Sequence, residues 1–75
     1  MARVTVYSKN NCMQCKMTKR FLTEHHVDFV ERNINDEPQY IDYLKERGFQ
    51  SLPVVEADGF EINGFRPNEL SKLAI

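Results

Sequence analysis

Cys12 and Cys15 are the only cysteines of the chain, set three apart as Cys12-Met13-Gln14-Cys15. They follow the apolar, β-branched run Val4-Thr5-Val6-Tyr7 and open a stretch without Gly or Pro that suits a helix. One helical turn brings two residues so spaced close enough for their sulfurs to bond. Unpaired amides at a helix N-terminus favour a thiolate over a thiol there. A bridge across so short a loop adds little stability, because the entropic gain of a disulfide grows with loop length. The pair is therefore expected to be a redox centre. Cys12, at or just before the first turn, is the candidate nucleophile, facing solvent and the helix amides. Cys15, one turn further in, should be more buried and less ionised, as suits a thiol that resolves a mixed disulfide.

Metal binding is the main chemical rival, with His25 and His26 completing a Cys2His2 set. Ten positions of helix separate Cys15 from His25, about 15 Å at the helical rise, which is too far for one zinc shell. No metal is expected in a monomer, and the histidines are read as a solvated helix end. No carboxylate pair or Gly-rich phosphate loop is present, so hydrolase and nucleotide-binding readings have no residues to rest on. Lys9, Lys16, Lys19 and Arg20 form a locally basic margin, ordinarily a solvated face. Lys9 is the member placed to stabilise the Cys12 thiolate or to steer an acidic partner tail.

With 75 residues, 41% hydrophobic and 28% charged, the chain has the composition of one small globular domain spanning residues 1–75. A formal net charge of −1 gives no electrostatic footprint for nucleic acid or an anionic membrane. Nothing approaches the roughly 18 apolar residues of a membrane span, and no basic region precedes an apolar N-terminal stretch. A cytoplasmic monomer without cofactor, working on proteins or small molecules, is the expectation.

The elements that position the cysteines can be read from periodicity. Residues 3–8 alternate as a strand, Lys9-Asn10-Asn11 turns, and 12–25 form a helix whose apolar stripe is Met13, Met17 and Phe21. Lys16, Lys19, Arg20 and Glu24 are left for water. A second strand over 27–34 should lie parallel to the first. Asn35-Asp36-Glu37-Pro38 signals a helix start with capping side chains, followed by the stripe Tyr40, Ile41, Leu44 and a stop at Gly48. Pro53 opens the strand Val54-Val55-Glu56-Ala57, Asp58-Gly59 is a hairpin signal, and Phe60-Glu61-Ile62 returns antiparallel. Pro67 begins a last short helix in which Leu70, Leu73 and Ala74 share a face. Phe21, Phe29, Tyr40 and Leu44 are expected in the core. The order β-α-β-α-β-β-α, a four-stranded mixed sheet flanked by three helices, is an α/β arrangement of the thioredoxin-like kind.

Three segments carry a closer resemblance: Val6-Tyr7-Ser8-Lys9-Asn10-Asn11-Cys12-Met13-Gln14-Cys15, Gly48-Phe49-Gln50-Ser51-Leu52-Pro53-Val54-Val55, and Gly64-Phe65-Arg66-Pro67. Together they resemble NrdH-type redoxins over essentially the whole chain. The resemblance implies a dithiol carrier that accepts electrons from thioredoxin reductase and passes them to the large subunit of class Ib ribonucleotide reductase. It also implies a cis Leu52-Pro53 bond opposite the cysteines, with the Leu52 backbone binding an extended substrate segment by strand addition. From sequence alone the isomer stays open, since most X-Pro bonds are trans.

Glutaredoxins commonly place Pro and Tyr between the cysteines, and a Gly-Gly with an acidic residue before the last helix to hold glutathione. Here Met13 and Gln14 offer an apolar and amide-bearing surface, and Gly64-Phe65-Arg66-Pro67 takes the place of the glutathione signature. Both point to protein docking. Ile62-Asn63 stands where some family members carry Trp-Ser, so no docking role of that Trp transfers. The alternatives are a glutathione-dependent glutaredoxin and a module holding a metal or iron-sulfur cluster between two chains.

Overall fold

A computed structural model describes residues 4–73. Arg3 and Ala74, assigned above to the first strand and the last helix, lie outside the described residues. The elements run β1 Thr5–Ser8, α1 Met13–Glu24, β2 Val30–Asn33, α2 Gln39–Glu46, β3 Val54–Ala57, β4 Phe60–Asn63 and α3 Pro67–Leu70, with a 3-10 turn at Ser71–Leu73. This is the expected thioredoxin-like order, with the first two strands shorter than the alternation suggested.

The strands form one mixed sheet in the order β2-β1-β3-β4. β1 pairs parallel with β2, Thr5 facing Val30, and antiparallel with β3, Val6 facing Val55. β3 and β4 form the hairpin around Asp58-Gly59, with Ala57 opposite Phe60.

Alternation along the strands sends successive side chains to opposite faces, and both faces are covered. Val4, Val6, Val55 and Ile62 pack with Leu22 of α1 and Leu70 of α3. Tyr7 and Val54 pack with Leu44 of α2, flanked by the half-buried Tyr40, Tyr43 and Phe49. On this second face Tyr7 and Tyr43 both donate to the Glu56 carboxylate, at 3.3 and 2.6 Å. Burial, the Tyr43 hydrogen bond and the Glu56 charge together push the Tyr7 hydroxyl well above the usual range.

Helix α1 does not use the face its apolar stripe suggested. Its buried residues are Cys15, Thr18 and Leu22, while Met13 is 67% and Met17 41% exposed. At 100° per residue the buried face is rotated about 130° from the Met13-Met17-Phe21 line. Phe21 stays half-buried, against Phe65 and the stacked ring of His25. Two small buried side chains, Cys15 and Thr18, leave room for the helix to approach the sheet closely. Leu44 is buried as expected, whereas Phe21, Phe29 and Tyr40 line the core margin.

Both long helices end in the same hydrogen-bonded closure. In α2, Gly48 takes the left-handed conformation at φ +87°, its N–H donating to Lys45 O and that of Phe49 to Leu44 O. In α1 the left-handed position is His26 at φ +60°, with His26 N donating to Thr23 O and Val27 N to Leu22 O. The start of α2 corrects the sequence expectation. Pro38 is itself the N-cap and no side chain caps the helix, because the asparagines before it are engaged elsewhere, as described next. Among the described residues no helix is long and apolar enough to cross a membrane.

Candidate active site

The loop from β1 to α1 is built by asparagines. Asn11 adopts the left-handed conformation at φ +57°, which a short polar side chain tolerates best after glycine. Asn10 N donates to Asn35 Oδ1 at 2.8 Å, and Asn33 Nδ2 donates to Asn10 Oδ1 at 3.0 Å. Asn33 Oδ1 in turn accepts from Asn35 N at 2.8 Å. These side chains anchor the chain just before Cys12 to the end of β2. Periodicity gave no sign of this role; the clustering of four asparagines, at 10, 11, 33 and 35, was the available signal.

Cys12 is the N-cap of α1, with extended backbone at φ −116°, ψ 104°. Its carbonyl accepts the first helical bond from Lys16 N at 3.1 Å, and its sulfur accepts from Cys15 N at 3.2 Å. Sulfur thus occupies the position where a Ser or Asp oxygen usually caps a helix. Cys12 and Cys15 are joined by a disulfide, their Cα atoms 5.2 Å apart. Cys12 is 8% exposed and Cys15 1%, so an incoming group meets Cys12 first.

The Leu52-Pro53 peptide bond is cis. Pro53 is buried and its carbonyl accepts from Gly64 N at 2.8 Å. Asn63 Nδ2 donates to Ser51 O at 2.9 Å and Pro53 O at 3.3 Å, which clamps the segment before β3 to the end of β4. Arg66 Nε then donates to Asn63 O at 3.0 Å, Pro67 is the first residue of α3, and Phe65 packs edge-on to Phe21 with centroids 6.3 Å apart. Gly64 adjoins the cysteine loop: a Cβ placed there would lie 3.9 Å from Gln14 Oε1. The 64–67 junction and Gln14 therefore share one surface. Asn63 is a supporting residue that sequence reasoning passed over, and only its place before Gly64 hinted at it.

Lys9 does not stand alone. With Ile34, Ile41, Leu44, Phe49 and Leu52 it lines an open groove of about 440 Å³, which joins the loop before Cys12 to the residue preceding Pro53. The rest of the basic margin is partly neutralised. Lys19 pairs with Glu31 at 2.7 Å and Arg20 with Glu24 at 3.2 Å, while Lys9 and Lys16 make no ion pair among the described residues. Glu31 also accepts from the buried Ser8 hydroxyl at 2.6 Å. Burial by itself would raise the Glu31 carboxyl, but the Lys19 and Ser8 hydrogen bonds outweigh it and hold the group below its ordinary value. Among the described residues no group of three or more His, Cys, Asp and Glu is gathered closely enough to hold a metal ion.

A disulfide at a helix N-terminus, with one cysteine more exposed than the other, can do thiol-disulfide exchange. Comparison with known proteins agrees. The glutaredoxin family model matches residues 4–62. The glutaredoxin-like protein NrdH of Lactococcus lactis is 55% identical over 95% of this chain and 99% of its own. The solved NrdH-redoxin of Escherichia coli, 38% identical, superposes with a TM-score of 0.91 over 95% of this chain and 93% of that one. A glutaredoxin of Archaeoglobus fulgidus, 28% identical, superposes with a TM-score of 0.81 over 97% of this chain and 86% of its own. With the cysteine pair, the fold and the length of the match in agreement, this chain belongs to the glutaredoxin family as an NrdH-type redoxin, a thiol-disulfide oxidoreductase.

Proposed function

We propose that this redoxin is a cytoplasmic, monomeric single-domain electron carrier that is reduced by thioredoxin reductase and reduces the large subunit of class Ib ribonucleotide reductase. The observation that carries the reading is the asymmetry of the pair: the Cys12 sulfur caps the helix and Cys12 is the more exposed residue, while Cys15 is buried one turn further in.

In the forward reaction the Cys12 thiolate attacks one sulfur of a substrate disulfide. A mixed disulfide forms, and the other substrate sulfur leaves as a thiolate and takes a proton. Cys15 then gives up its proton and attacks Cys12, which releases the second substrate thiol and forms the Cys12–Cys15 disulfide. Two electrons and two protons delivered through the reductase restore the dithiol.

Leu52 and Pro53 supply the platform for the substrate chain, with Leu52 just outside β3, and Met13 and Gln14 form the rim it crosses. Gly64, Phe65, Arg66 and Pro67 dock the partner on the side that Gln14 shares, and Lys9 meets acidic groups along the groove. A protein reductant is supported by the missing glutathione signature and by the thioredoxin-like activity profile ascribed to the Escherichia coli NrdH-redoxin.

The test is NADPH consumption in a reconstituted assay. Thioredoxin reductase, this redoxin and a class Ib ribonucleotide reductase should oxidise NADPH at a rate set by the redoxin concentration. Glutathione with glutathione reductase should support little turnover. Equal or faster turnover with glutathione would move the chain to the glutaredoxin reading, and stoichiometric metal or colour in fresh protein would favour the metal module.

A further inference from the structure

Thr18 presents an anomaly one turn beyond the redox pair. It is fully buried, and its hydroxyl has no hydrogen-bond partner. A threonine in a helix ordinarily donates to the carbonyl four residues back. On this same helix the exposed Thr23 does so, its hydroxyl lying 2.9 Å from Lys19 O. Thr18 does not make the equivalent bond. A buried hydroxyl left unpaired keeps the cost of its lost hydration without recompense, so the group calls for a partner in some other state of the protein.

The buried face of α1 is Cys15, Thr18, Leu22, which places Thr18 three residues after Cys15 on the same side. Side chains at that spacing are neighbours, with Cβ atoms about 5–6 Å apart, within reach of a hydroxyl-to-sulfur hydrogen bond. In the oxidised protein the Cys15 sulfur is bonded to Cys12 and is a poor acceptor. Reduction takes up two electrons and two protons and breaks that bond. It leaves a thiol or thiolate at Cys15, with free lone pairs, beside the unpaired hydroxyl.

We propose that Thr18 hydrogen-bonds the Cys15 sulfur in the reduced protein, and so makes the pair more oxidising than its backbone setting alone would. Two effects act in one direction: the oxidised state carries an unpaired buried hydroxyl, and the reduced state satisfies it. Only dithiol-disulfide cycling of the pair is needed, so the effect is independent of which proteins dock. A wrong partner assignment and a wrong role for Thr18 give separate results.

The test uses the full chain with Thr18→Val, which keeps the shape, Thr18→Ala, which removes the hydroxyl without adding a methyl, and Thr18→Ser, which keeps the hydroxyl. Each is equilibrated with mixtures of reduced and oxidised dithiothreitol, quenched in acid, alkylated and weighed. Thr18→Val and Thr18→Ala should shift the equilibrium about tenfold towards the Cys12–Cys15 disulfide, ~30 mV for a two-electron couple. Thr18→Ser should stay within about twofold of the parent, well inside that ~30 mV. An unshifted equilibrium in the valine and alanine variants, or a serine variant displaced as far as they are, overturns the assignment. Urea unfolding supplies the second reading: a hydroxyl that only packs would change the stability of oxidised and reduced forms equally. The hydrogen bond instead requires Thr18→Val to favour the oxidised form over the reduced one.

Discussion

The backbone amide of Cys15 donates to the sulfur of Cys12 across 3.2 Å, which places a donor on the atom proposed to carry charge when the disulfide opens. Helix amides and the N-terminal end of the helix dipole both favour negative charge at that position. In reduced protein at neutral pH, iodoacetamide should modify Cys12 first, at least about tenfold faster than Cys15. Mass analysis of the two cysteine positions at short reaction times checks the order, and preferential modification of Cys15 would reverse the roles.

The rotation of α1 away from its apolar stripe predicts unequal costs along the helix. Leu22 is fully buried in the core shared by α1, α3 and the sheet, so Leu22→Ala should destabilise by about 3 kcal/mol. Met17 is 41% exposed, and Met17→Ala should cost less than about 1 kcal/mol. Urea denaturation of the two variants separates the faces, and comparable losses would contradict the packing described.

Why the architecture was legible and this face was not has a physical reason. Strand alternation, Gly48 after α2, Asp58-Gly59 between β3 and β4, and Pro67 at the start of α3 are local signals whose backbone demands survive in any context. The cysteine spacing is equally local, since one helical turn brings the pair together. Which side of α1 meets the sheet depends on residues far along the chain, Leu22 packing with Val55, Ile62 and Leu70. Methionines on the outer face are then indistinguishable, by pattern, from core methionines. The clamp from Asn63 to Ser51 and Pro53 spans 10 to 12 positions and leaves no trace in periodicity.

That clamp gives a further expectation. Asn63→Ala removes the donor shared by the Ser51 and Pro53 carbonyls and should cost about 1–2 kcal/mol in stability. Because the same segment carries Leu52, disulfide reduction by the variant should slow more than its loss of folded protein explains. Insulin disulfide reduction normalised to folded fraction reads the difference.

Glu31 sets an acid limit. Its folded-state pKa lies below the ordinary 4.5, so the unfolded chain takes up a proton first as pH falls. The stabilisation is present above the unfolded value and disappears as pH drops through the folded one. With a third of the side chain in water, the contribution is at most on the order of 1 kcal/mol. Stability measured from pH 6 to 3 should fall more steeply in the parent than in Glu31→Gln, and parallel curves would assign the acid sensitivity elsewhere.

The directional pair is tested most directly by trapping. Cys15→Ser, reduced and mixed with a disulfide substrate protein, should accumulate a covalent complex linked through Cys12 and released by dithiothreitol. Cys12→Ser should accumulate none under the same conditions. A complex that forms with Cys12→Ser and not with Cys15→Ser would contradict the account at its centre.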